Sequence, residues 1–114
     1  MGKRDDIIEA MIVEAKKLNL DISDEFITKV TKGLGPVIYN KDTSTVACGQ
    51  KDELETVKKN FLQKKLGLTN DETEFDSAIK EVCEKLGTSN RSKYRVHFYA
   101  LLAIKFNKTD VYDK

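Results

Sequence analysis

Three side chains of this 114-residue chain could together perform nucleophilic chemistry: Cys48, Cys83 and the single histidine, His97. A thiol within hydrogen-bond reach of an imidazole passes its proton to the ring and becomes a nucleophile. Cys83 falls in the apolar arc Phe75, Ala78, Ile79, Val82, Cys83, Leu86, where a thiol packs as a small hydrophobe. Cys48 lies in a stretch without helical periodicity and is therefore the catalytic candidate, with His97 as its base. On a helical wheel, however, His97 falls between Leu101 and Ile104, which predicts a packed ring with one hydrogen-bonded nitrogen. That packed ring is the preferred reading and the dyad the alternative. One histidine rules out a multi-histidine metal site, and no H-E-x-x-H pattern or cysteine cluster offers zinc ligands. No metal and no cofactor is expected.

The second candidate chemistry is cationic. Leu54, Val57, Phe61, Leu62 and Leu66 define an apolar arc on a helix, and Lys58 and Lys65 point out of its middle. Both lysines either lie along apolar surface with their ammonium groups reaching water or a carboxylate, or line one groove for an anionic ligand or an acidic partner segment. Arg91, Lys93 and Arg95, beside Tyr94 and Tyr99, could touch phosphate and stack on bases, although a solvated helix start explains them as well. With Tyr39, these give the candidate binding set Lys58, Lys65, Tyr39, Arg91 and Arg95. The glycine-rich GLGP at 33–36 follows a helix, where a phosphate cradle would precede one, so a helix stop at Gly33 accounts for it. The acids Asp71, Glu72, Glu74 and Asp76 lack the glycine and closing glutamate of a calcium loop.

The elements that must position these groups are helical. Residues 94–106 (YRVHFYALLAIKF) carry apolar side chains on every side at about 100° per residue, so this helix, spanning about 91–106, must be the buried centre of the domain. Around it the spacing predicts a first helix capped by Asp5 or Asp6 and ending near Asn19. A second is capped by Ser23, a third covers 51–66, and a fourth runs from Asn70 or Asp71 to Gly87. Ser89 or Asn90 would cap the central helix. Residues 36–50 are the longest irregular connection, either a short helical turn capped by Asp42, which is preferred, or a β-hairpin. The expectation is an all-α fold: one compact domain of about five helices over 1–114, with 107–114 a partly ordered tail.

Composition agrees. The 39% hydrophobic content exceeds that of disordered chains, and 20 Lys plus Arg against 19 Asp plus Glu leave no global field to steer nucleic acid or an anionic membrane. No apolar run approaches the roughly 20 residues of a membrane span, and the acidic start does not suit a signal peptide. A cytoplasmic protein is expected; Cys48 and Cys83 could pair, but without a secretion signal free thiols are the preferred reading.

The segments TKGLGPVIYNKD, VAC, KDELETVKKNFLQKKLGL, EVCEKLG and NRSKYRVHFYALLA resemble a family of small bacterial proteins catalogued only as a domain of unknown function. The resemblance runs from the first helix to about Phe106. It implies a bacterial, cytoplasmic, single-domain helical protein and transfers no catalytic residue. The expected function is a non-enzymatic helical interaction module binding a protein partner or itself, through the third helix and the 36–50 connection. A weak nucleic-acid or anion binder and a Cys48-dependent enzyme are the alternatives, discriminated by salt-sensitive binding and by selective Cys48 alkylation.

Overall fold

Ser23 turns the chain into a helix by accepting a 3.1 Å hydrogen bond from the Phe26 N–H, with Asp24 and Glu25 behind it in the first turn, where carboxylates favour the helix dipole. The computed structural model describes residues 3–35, 39, 45–46, 48, 50–69, 71–87 and 94–112. Over these the chain forms five helices: α1 Lys3–Lys17, α2 Asp24–Leu34, α3 Lys51–Val57, α4 Glu72–Leu86 and α5 Arg95–Lys105. No strand occurs among the described residues; the single β-type contact is an isolated antiparallel bridge between Thr45 and Tyr94. The fold is a compact all-α domain with a radius of gyration of 13.1 Å, close to the value of about 13 Å that chain-length scaling gives.

α5 is its centre. Val96 to Ala103 are buried without interruption, and α5 packs against α1, α2 and α4. The surrounding helices present one stripe each: Ile8, Met11 and Ala15 from α1, Ile27 and Val30 from α2, and Phe75, Ala78, Ile79, Val82, Cys83 and Leu86 from α4. Ile104 departs from the expected burial and is 40% exposed, on the side of α5 where two shallow surface clefts meet it, one beside Phe26 and Lys29 of α2 and one beside Glu81 and Lys85 of α4.

Helix ends differ in detail from the sequence expectation. Asp5 and Asp6 sit inside the first turn of a helix that already begins at Lys3, so neither is its cap. The stop of α2 is Gly35, with φ 68°, ψ −140°, and Gly33 is helical. Gly33 has another use: a Cβ there would come within 3.1 Å of the Tyr112 ring. The tail folds back to provide that ring, through a 3-10 turn over Thr109–Tyr112 whose Tyr112 meets Phe26 edge-on at 5.5 Å. The predicted caps at Ser89 and Asn90, and the turn or hairpin in the 36–50 connection, lie largely outside the described residues.

The third helix changes its winding. α3 continues without a break into a π-wound stretch, Lys58–Lys65, with the Leu66 N–H donating to the Phe61 carbonyl five residues back. A π-helix turns through less than the α-helical 100° per residue, and over the seven steps from Lys58 to Lys65 the shortfall carries the second lysine off the first one's side. Phe61, Leu62 and Leu66 remain buried, Lys58 stays 5% exposed, and Lys65 emerges at the surface.

Candidate functional site

Between α3 and α4 lies a cleft of about 570 Å³, lined by Leu54, Lys58 and Lys51 on one side, Asp76, Ile79 and Lys80 on the other, and by Cys48 and Cys83. Lys58 reaches into it along its own apolar stem. Its ammonium donates to Glu55 Oε1 at 2.9 Å and to Asp76 Oδ1 at 2.5 Å, so it ties α3 to α4. The hydrogen bonds to Asp76 and then Glu55 raise the Lys58 pKa against an opposing effect of burial, and the group stays protonated. A protonated amine with two carboxylates on it is neither a base nor a nucleophile.

Cys48 and Cys83 form a disulfide, with Cα atoms 6.2 Å apart, which corrects the expectation of free thiols. Sequence spacing could not reveal it, because Cys48 meets α4 only in three dimensions, 35 residues along the chain from Cys83. Both sulfurs are consumed, so a Cys48 thiolate activated by His97 does not exist in this state. His97 is fully buried, bonded through Nε2 to the Met11 carbonyl at 2.8 Å and packed edge-on to Tyr94 at 5.7 Å. Burial lowers its pKa, partly opposed by the Met11 carbonyl and Glu14, so the neutral ring donates from Nε2. Its Nδ1 is buried without a hydrogen-bond partner.

Arg95, expected at a solvated helix start, is instead a clamp. Its guanidinium donates to Glu53 Oε1 at 2.5 Å, to the Tyr99 hydroxyl at 3.0 Å and to the Thr45 carbonyl at 3.4 Å. It thereby joins α3, α5 and the connection, the last also held by the Thr45–Tyr94 bridge and by buried Val46. Sequence reasoning missed Glu53 and Thr45, which are 42 and 50 residues away and leave no local signal.

Lys65 lines a separate cleft with Gly33, Asn60, Phe61 and Tyr99, its ammonium 5.0 Å from the centre of the Tyr112 ring. Desolvation raises the pKa of that tyrosine. Lys58 and Lys65 therefore do not share a groove, whereas Lys58 and Cys48 do. Tyr39 is half exposed, and Arg91 lies outside the described residues. Among the described residues no group of three or more His, Cys, Asp or Glu side chains is placed to hold a metal ion, and no helix is long and apolar enough to cross a membrane. The family described as "Protein of unknown function (DUF2853)" matches residues 11–110. No curated protein matches the chain.

Proposed function

Because the chain belongs to that family of unknown function, to which no activity is attached, we propose from its own surface that it is a non-enzymatic interaction module receiving a segment of a partner protein in the α3–α4 cleft. The observation that carries this reading is the cleft itself: about 570 Å³, lined by the apolar Leu54 and Ile79 and edged by three lysines and three carboxylates. A short segment that alternates apolar side chains with charges of both signs matches those walls, apolar contact supplying affinity and charge placement supplying register. The titratable groups nearest the cleft support binding over catalysis, since Lys58 is held charged by Glu55 and Asp76. We place this module in the cytoplasm.

The test is recovery of the tagged protein from its own host's cytosol, with bound proteins identified by mass spectrometry and the molar mass of the pure protein measured by light scattering. A reproducible partner should be lost at least tenfold in Lys51→Glu/Lys80→Glu, two exposed positions on the cleft, and retained in Lys65→Ala, which alters the other cleft. Mass doubling abolished by the same charge reversals would make the partner a second copy. Equal binding by all three proteins would overturn the proposal, and retention of nucleic acid released by salt would favour the anion-binding alternative.

A further inference from the structure

We propose that the Cys48–Cys83 disulfide is a thiol–disulfide exchange site, reached through the α3–α4 cleft by a small thiol or dithiol and attacked at Cys48. The proposal does not depend on what docks in the cleft. Both half-cystines line that cleft. Cys48 is partly exposed, whereas Cys83 is 9% exposed within the apolar stripe of α4. Exchange requires a thiolate to approach one sulfur along the S–S axis, so access selects the sulfur that is struck. Lys80, one turn before Cys83 on α4, lines the same cleft, so the wall beside the departing sulfur carries a cation as well as apolar Ile79.

The chemistry balances with the external thiol as the reductant. A thiolate RS⁻ attacks Cys48 Sγ; the S–S bond breaks and its electron pair leaves on Cys83 Sγ, which takes a proton from water. A second RS⁻ attacks the outer sulfur of the mixed disulfide, releasing RSSR and the Cys48 thiolate, which also takes a proton from water; the protons shed when the two RSH ionised restore the balance. In sum, two RSH reduce one disulfide to two cysteine thiols, and RSSR reverses the reaction.

The surrounding structure lets this occur without unfolding. With the disulfide open, the connection is still anchored at Thr45 by the Tyr94 bridge and the Arg95 guanidinium, and at Val46, which is 3% exposed. What reduction releases is the tie between Cys48 and α4, and with it one wall of the cleft.

The experiment uses the whole protein, purified without reductant, in native glutathione buffers of stepped reduced-to-oxidised ratio. Thiols are quenched with N-ethylmaleimide and read by intact mass and peptide mapping, while hydrogen exchange of α5 amides reports global opening. The expected result is paired labelling of both cysteines at least tenfold faster than exchange of the α5 amides, with the glutathione adduct mapped to Cys48 and the helical circular dichroism retained. Labelling no faster than α5 exchange would show a structural disulfide reducible only on unfolding. An adduct on Cys83, or two thiols at every buffer ratio, would equally overturn the proposal.

Discussion

His97 shows how one buried atom sets a pH dependence. The ring is neutral when folded, and a second ring proton would have to sit on Nδ1, which has no acceptor. A base whose folded pKa lies below its unfolded value of 6.5 stabilises the fold fully above pH 6.5 and loses that stability as pH falls below it, at about 1.4 kcal/mol per unit until the folded pKa is reached. Urea midpoints should therefore drop between pH 6.5 and 5.5 in the native protein. They should be flatter in His97→Gln, whose amide can still donate to Met11. Lys58 makes a complementary case. Its partners Glu55 and Asp76 are 42% and 62% exposed, so water screens the ion pairs and they contribute little to stability. Its buried stem contributes more. Lys58→Met should change unfolding stability by less than about 1 kcal/mol, whereas Lys58→Ala should cost about 2 kcal/mol or more through lost packing. Equal losses for the two variants would place the stabilisation in the charge.

At the scale of elements, two glycines separate roles that the sequence merges. Gly35 carries the backbone of the α2 stop at φ 68°, ψ −140°, a region nearly closed to other residues, so Gly35→Ala should destabilise by about 1–3 kcal/mol. Gly33 is helical, where alanine gains about 1 kcal/mol, but its Cβ would press on the Tyr112 ring at 3.1 Å. Since that ring belongs to a short terminal turn, the turn should yield: Gly33→Ala should raise hydrogen exchange at 109–112 and leave global stability within about 1 kcal/mol. The third helix is the element whose sequence was most misleading. Its heptad-like lysine spacing puts Lys58 and Lys65 on one side only if the winding is α throughout, and the π-wound stretch separates them into two clefts.

For the whole molecule, the disulfide spans 35 residues, from the connection to the end of α4. Closing a loop of that length removes unfolded-chain entropy equivalent to about 4 kcal/mol, a large part of the 5–15 kcal/mol that holds a typical domain. The Cys48→Ser/Cys83→Ser variant should keep its helical spectrum at 25 °C and unfold at a lower urea concentration, with an unfolding free energy smaller by about 4 kcal/mol. Little change would mean that the unfolded chain is already compact around that pair. Leu102→Ala in fully buried α5 should cost a comparable 2–5 kcal/mol, because cavities at the centre of the packing cannot collapse.

Much of the architecture was legible because it depends on neighbours in the chain. The apolar residues of α4, the encircled pattern of α5 and the Ser23 cap depend on spacings of three or four residues, and each holds in the folded domain. The packed His97 was legible in the same way, from its place on an apolar helix. The candidate cleft was not. It depends on Cys48 meeting Cys83, Lys58 meeting Asp76, and Arg95 meeting Glu53 and Thr45. Those contacts join residues 18 to 50 positions apart, and a helix period carries no information about which of its neighbours a face will meet. Local spacing determined which residues are helical and which face of each helix is apolar; tertiary packing alone decided which charges are paired between elements, which thiols are joined and where the domain stays open.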